Sequence, residues 1–549
     1  MKKYSFKLLS LLLVLATLSL TVSCNFGDIL EDIAPDDLGN GVENSASGDV
    51  QFTLEATEPS PENTYPESTS PSNKDTFEQT ETEIPEKTFP TVDSGLGALD
   101  FGGNKLTVIT LDSSSNIREW YKHSPEDEID KYVAIRNSLA RSELNINMMV
   151  EIVPAGNYNI IQNLIFTDIT QDFHYYDISA APIRVNAATA IRDCVAILSD
   201  EALFPYFDFD LPCWNQSIIE NITKNHKLYY VAGDLNLSVF DAATVVWHNV
   251  NLYDRFKEDT DPESMLDLAL AGQWTYDELY RWASRFYKNS NGFQGKQKDD
   301  TFALMLNIED LGNIDAFTAA WDIEFISTLS DGKHFFNIDE AKTSSAIDKI
   351  QALFNATGTW TDADAEYFAS SHSVFYISPL YSSKEVNDQI RGMKYRYGLM
   401  PMPKYDVAQE NYSTISQESC NVMSALEHRH STVRTKGEEI SAYLQFMTEY
   451  SYSKIKPMYF NEVVKPFPHS DEDSAEMVKS AALFGLITSN IRFDFSYVYS
   501  GQLNNFNDLW RSSVVNDSSF HTEFTSNRSA YEKELTRLDA WFGLVSLYQ

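Results

Sequence analysis

The sequence predicts an α/β protein of more than one folded unit, with mostly parallel sheet. Three observations predict it. The chain has 549 residues, too many to close around one hydrophobic core. From residue 105 onward, short apolar β-branched runs alternate with amphipathic helical patterns, the order that gives parallel sheet covered by helices. No period of 20–50 residues recurs, which excludes a solenoid or a propeller.

The chain opens with "MKKYSFKLLSLLLVLATLSLTVSC". Lys2, Lys3 and Lys7 precede an uncharged run that lasts to Gly27, the pattern of an export signal over residues 1–23. Thr21-Val22-Ser23-Cys24 resembles a bacterial lipoprotein box, with Thr21 where Leu is usual and Leu20 one place early. The resemblance implies that Cys24 carries a lipid and becomes the first mature residue. An uncleaved membrane anchor is the alternative, since roughly 20 uncharged residues span a bilayer. Either one puts the rest of the chain on the outer face of the cell membrane. Residues 24–99 then read as a tether. Between Asn25 and Leu99 stand 17 Asp and Glu against 2 Lys, among many Pro, Ser and Thr. Such a composition cannot bury enough apolar surface to offset its ordering entropy. Folding is expected from about Asp100.

Strands are expected at "KLTVITL" (105–111), "NMMVEIV" (147–153), "YYDISAAP" (175–182), "KLYYVAG" (227–233), "TVVWHNV" (244–250), "TFALMLN" (301–307) and "SVFYIS" (373–378). Helices lie between and after them. "DPESMLDLALAG" reads as a helix with Asp261 as cap, Pro262 in its first turn and Gly272 as its stop. Thr275 and Glu278 have capping-box spacing, followed by the apolar stripe Leu279, Trp282, Ala283 and Phe286. Ile440, Tyr443, Leu444 and Met447 form a second stripe. One stretch breaks the alternation. In "YRYGLMPMPKYD" a β-like run from Tyr395 meets Pro401 and Pro403, neither of which donates a backbone hydrogen bond. That spacing forbids a central strand and asks for an extended crossing.

The net charge of −38 argues against nucleic acid as a partner, because phosphate binding needs clustered Lys and Arg. No HExxH, GxSxG, GxxxxGK[ST] or strand-linked GxGxxG is present, which speaks against an enzyme. Cys194, Cys213 and Cys420 lack metal-ligand spacing and read as buried thiols, with Cys194–Cys213 as the one conceivable disulfide. His428 and His430 are two apart and would face opposite ways on a strand; they read as a solvated loop. No metal and no cofactor are expected.

"NHKLYYVAGDLNLSVFDAATVVWHNVNLYDRF", then "GQWTYDELYRWASRFY", resembles the family 1 extracellular solute-binding proteins of ABC transporters, the maltose-binding-like group. There, a strand beginning Gly-Lys-x-Tyr leads through a polar crossing to an apolar strand ending in Asn, and a Trp-Thr-x-acidic-acidic helix start follows. "YGLMPMPKYD" is similar to the family's proline-rich (F/Y)G-x-x-P-x-PKYD, and "SAEMVKSAA" with "SAYEKEL" is similar to the C-terminal helices of its longer Gram-positive members. The resemblance spans about residues 104–540. It implies a two-lobed, type II periplasmic-binding-protein-like fold whose chain crosses between lobes several times. Residues 100–240 and 402–455 would form lobe 1, and 241–401 with 456–549 lobe 2. Crossings are expected near Ala232–Asp241, at the proline stretch, and near Lys456–Pro466, with Gly233, Pro401 and Pro403 as hinge residues.

The function implied is that of a monomeric binding lipoprotein, which captures a small solute between its lobes and delivers it to membrane permease subunits. A sugar or oligosaccharide needs flat aromatics and a few polar groups at strand ends. Trp247, Trp274, Tyr376 and Tyr381 are the candidate aromatics, with Asp112 after the first strand and Asp234 at the first crossing. Where many relatives offer an acidic residue after the third strand, this chain has Ala180-Ala181-Pro182 and then Arg184, which leaves an anionic or peptide-like solute open. A surface-anchored glycan hydrolase and a sensory or structural surface module share the export signal and are the alternative classes.

Overall fold

In the computed structural model, residues 95–96, 99–121, 127–380, 384–427, 435–465, 475–516 and 518–545 are described. The export signal, Cys24, nearly all of the tether, Tyr381, and the His428 and His430 pair lie outside them. No helix among the described residues is long and apolar enough to cross a membrane. No group of His, Cys, Asp or Glu among them is placed to hold a metal.

Among the described residues, twelve strands build two main sheets and a hairpin. In the first sheet, β1 (Asn104–Asp112) lies between β2 (Ile146–Pro154) and β3 (Ile178–Pro182), all parallel. In the second, β4 (Thr244–Asn249) runs against β10 (Ser373–Pro379), which is parallel to β6 (Thr301–Leu306). Short β5 (Tyr287–Lys288) and β9 (Thr359–Trp360) extend β6. β7 (Ile326–Thr328) and β8 (His334–Phe336) form the hairpin. β11 (Tyr397–Met400) closes the second sheet beside β4, and β12 (Asn421–Ala425) returns to the first, antiparallel to β3. The first sheet is thus mostly parallel. The second is mixed, because β4 and its partner β10 oppose each other.

The runs that are apolar on both faces became central strands, since β4, β6 and β10 are buried almost throughout. Three expectations shift for local reasons. The strand anticipated from Tyr175 begins only at Ile178, because the amides of Tyr175 and Tyr176 bond the Asp168 carboxylate at 2.8 and 3.2 Å. Residues 227–233 form no strand. Their one ladder-like contact with the first sheet is the exchange between Val231 and Met423. Ser264, not Asp261, caps the helix Met265–Leu270, while Asp261, its side chain covered, pairs with Arg281 and Arg285. Thr275 does cap Tyr276–Arg285 by position but makes no side-chain cap bond, and Glu278 is taken up by Arg281 at 2.7 Å.

The prolines are corrected as well. Pro401 and Pro403 do not cross in the open. Their carbonyls accept from the indoles of Trp274 and Trp321, each at 3.0 Å, and Lys404 exchanges main-chain bonds with Trp274 and Tyr276. The stretch is clasped by the second lobe. The chain leaves that lobe one loop later, where residues 414–417 run beside 239–244. The Thr244 amide donates to Ile415, the Gln417 amide to Ala242, and the Ser416 hydroxyl to Val239. The third passage, expected near Lys456–Pro466, is helical over its described residues. Gly437–Tyr450 continues through a π turn, Ser451–Ile455, into Lys456–Val463 without a break. Pro457 sits in the first turn of that last piece, and the wide turn before it relieves the clash a proline ring makes inside an α-helix. Cys194, Cys213 and Cys420 are buried thiols.

Candidate functional site

In open α/β sheets, ligands sit beyond the carboxyl ends of the strands. In the first lobe that edge carries Asp112, which is exposed, and Tyr158, in the first turn of Tyr158–Thr170 after β2. Arg184 joins them in the first turn of Ile183–Ala190, directly after β3. Glu418, on the chain returning toward β12, forms an ion pair with Arg184. Facing them from the second lobe are Asp315, in the helix Leu311–Ala320 after β6, and Arg511 and Tyr497 from the C-terminal helices.

These groups meet. The Arg184 guanidinium lies over the Tyr497 ring, 4.6 Å from its centroid, and its Nε donates to the Tyr497 carbonyl at 3.1 Å. Asp315, fully buried, takes Arg511 through three contacts of 2.5–3.2 Å and Asn507 at 2.8 Å. Burial raises the Asp315 carboxyl, while Arg511 and the more distant Arg184 pull it back. Burial also pushes the Tyr158 hydroxyl up to about 12, with Glu418 adding to the rise. Two acidic and two basic groups thus alternate across the cleft, framed by two tyrosines. Two atoms in this cluster are buried without a hydrogen-bond partner among the described residues: Nη2 of Arg184 and Oε2 of Glu418. The ion pair touches Oε2 without hydrogen-bonding geometry.

Of the named candidates, Asp112 stands on this edge, Tyr381 lies outside the described residues, and the other four fall elsewhere. Trp247 and Trp274 are fully buried in the second lobe, the first edge-on to Tyr397 at 5.9 Å and the second tilted against Phe375 at 5.4 Å. Neither ring can meet a solute. Asp234 is tied to Lys456 at 3.0 and 3.2 Å. Tyr376 is buried against Phe368 near the end of β10, within electrostatic reach of Asp310 and Asp364. Gly233 sits where a Cβ would meet Thr448 at 2.6 Å and the Cys213 carbonyl at 2.9 Å, so close approach, not backbone freedom, requires glycine. Seven of the nine tryptophans are fully buried. Trp541 stacks on Tyr229 at 4.6 Å, which leaves Trp360, half-exposed at the end of β9, as the tryptophan a ligand could reach in the second sheet.

No family model matches this chain, and no curated protein matches it in sequence. Solved structures do. The sugar-binding protein MalE from the phytopathogen Xanthomonas citri is 11% identical, with 80% of this chain and 98% of that one covered at a TM-score of 0.50. The cyclic alpha-maltosyl-1,6-maltose binding protein from Arthrobacter globiformis is 12% identical, with 79% and 100% covered at a TM-score of 0.50. The fold is that of the maltose-binding-like solute-binding proteins. It is the two-lobed, type II arrangement, and the three passages of chain described above are what join its lobes. At this level of identity the likeness is one of fold, and the residues between the lobes must speak for themselves.

Proposed function

We propose that this chain binds a hydroxylated small solute, a sugar or oligosaccharide, between its lobes and delivers it to the permease of an ABC importer. The observation that carries the reading is that two buried atoms, Nη2 of Arg184 and Oε2 of Glu418, make no hydrogen bond among the described residues, Oε2 being held only by its ion pair with Arg184. One is a donor and the other an acceptor. Buried polar groups are rarely left unpaired, since each costs roughly 1–3 kcal/mol. A hydroxyl donates and accepts through one oxygen and so suits both. A carboxylate would be repelled by Glu418 and an ammonium by Arg184, so the anionic solute that Arg184 alone suggests is disfavoured. Tyr158, only partly buried, supplies a ring face beside the pair, while Tyr497 is buried under the Arg184 guanidinium and backs it. The two solved structures of like fold named above are described as sugar-binding and maltosyl-maltose-binding proteins, which agrees with this class.

Delivery to a permease fits a surface-held binding protein, and we place the anchor at Cys24 on the outer face of the membrane. The support is the basic, apolar and small-residue order of residues 1–24. The test of binding is a thermal-shift screen of the full chain against neutral sugars, oligosaccharides, sugar phosphates and peptides. A specific ligand raises the midpoint in proportion to RT ln(1 + [L]/Kd). A neutral saccharide is expected to give the largest saturable shift; a larger one from a peptide or sugar phosphate refutes the class.

A further inference from the structure

One side chain from each of the three passages between the lobes ends on a buried carboxylate. Glu119, at the end of the helix Ser114–Arg118 in the first lobe, is fully buried. Its Oε1 accepts from the Ser238 amide at 2.7 Å and from the Ser238 hydroxyl, in the first passage. Its Oε2 accepts from Asn421 at 3.1 Å, at the end of the second. Asp241, itself in the first passage, accepts from the hydroxyl of Tyr459, in the third. Ser115 also bonds Asp241, so both carboxylates are tied to the same short helix.

The cations nearby are committed elsewhere. Arg118 is paired with Asp127 and Asp130, although its charge reaches Asp241. Arg136, from the helix Glu128–Leu144, gives Nη1 to Ser451 at 2.8 Å and Nη2 to the main-chain carbonyl of Glu119. Lys456 holds Asp234. The remaining titratable neighbours are Cys420, which the Glu119 charge reaches, and Tyr443 and Tyr450, which face Arg136. Neither Glu119 nor Asp241 has an ion-pair partner within 4 Å among the described residues.

We propose that Glu119 and Asp241 make this hinge proton-linked, so that neutral carboxyls hold the three passages together and loss of their protons loosens them. A neutral carboxyl still accepts from Ser238, Asn421 and Tyr459 without carrying a charge into the dry site. A carboxylate does carry one, and there it draws in water or moves apart from its neighbours. Burial pushes Glu119 up to about 8 and Asp241 up to about 6, with Ser238, Asn421, Tyr459 and Arg118 holding them lower than burial alone would. Both therefore lose their protons in the range where proteins work. The switch is independent of which solute binds.

Amide hydrogen exchange of the full chain, without added solute, tests it. Peptides covering 237–244 and 414–421 are compared with reference peptides from β1 and β10, which cancels the intrinsic pH dependence of exchange. Between pH 5 and 9 the hinge-to-reference ratio is expected to rise at least about tenfold, the equivalent of one pK unit of linkage. The Glu119→Gln, Asp241→Asn double variant should hold the ratio constant. Equal rises in the wild type and the double variant, or no rise in the wild type, overturn the proposal. Tyr459→Phe guards against a double variant that does not fold. It removes a donor that holds Asp241 down, so the lower midpoint of the rise must move to higher pH, and an unmoved midpoint also overturns the proposal.

Discussion

The Lys456 ammonium lies 3.0 and 3.2 Å from the two carboxylate oxygens of Asp234 and so fastens the third passage between the lobes to the first. Both side chains are largely removed from water, at 13% and 7% exposure. Lys456→Met strands the carboxylate and is expected to cost about 3–5 kcal/mol of unfolding free energy, read from urea melts. Replacing both partners with isosteric neutral groups, Asp234→Asn with Lys456→Met, should recover most of that loss. A single variant as stable as the wild type would show that the pair adds nothing.

Arg184→Ala and Glu418→Gln should each weaken binding of the saccharide found by screening by roughly 10–100-fold, the scale of a charged hydrogen bond of about 1.5–3 kcal/mol. Calorimetric titration checks it. Because both act on one hydroxyl, the double variant should lose less than the product of the two single losses. Full retention of affinity by both single variants places the solute elsewhere in the cleft.

Stability should fall as pH rises. Glu119 and Asp241 are raised from 4.5 and 3.8 to about 8 and about 6. The folded state therefore holds more protons than the unfolded chain between pH 4 and 8. The stabilisation is full below the unfolded values and is lost as pH climbs through the folded ones. Glu119→Gln should flatten the decline between pH 5 and 8 in a series of thermal melts. If the variant's midpoints keep the wild-type slope, Glu119 titrates normally.

Gly233→Ala brings a methyl within 2.6 Å of Thr448, 2.8 Å of Trp214 and 2.9 Å of the Cys213 carbonyl. A main-chain atom cannot swing aside, so a loss of about 1–3 kcal/mol is expected in denaturant melts. Gly156, with nothing within 4 Å of its added Cβ, is the control and should tolerate alanine.

Cys24→Ala should release the protein from the membrane fraction or leave an uncleaved precursor. Mass spectrometry of the mature N-terminus checks this, and a start at any other residue refutes lipid attachment there.

Much of the fold was legible because it is written locally. The runs around Val108, Val246 and Phe375 are apolar on both faces, and central strands are where such runs can be buried. The stripe Ile440, Tyr443, Leu444 and Met447 is buried as its spacing demands. The passages between lobes were not legible in the same way. Pro401 forbids a ladder bond at its own nitrogen, but only a folded chain brings Trp274 to its carbonyl. The site was least legible. Arg184 stands out by its place after β3, whereas Glu418 is an unremarked acid in a polar loop until folding sets it beside Arg184. Trp247 and Trp274 misled because composition cannot tell a packed ring from a presented one.

The π turn at Ser451–Ile455 works as a phase shifter for everything that follows it. Each residue added to a helix turns the next side chain by about 100°, since 3.6 residues make one turn. Upstream of the wide turn, Tyr443 and Met447 point into the first lobe's core. Downstream, Lys456 meets Asp234 and Tyr459 meets Asp241 only because one surplus residue has been absorbed between them. Deleting a single residue from this stretch, Ser453 for example, would let the helix run on as a regular spiral and swing both side chains off their partners by about that angle. Composition, charge and helix content would hardly change, yet the two lobes would lose their alignment.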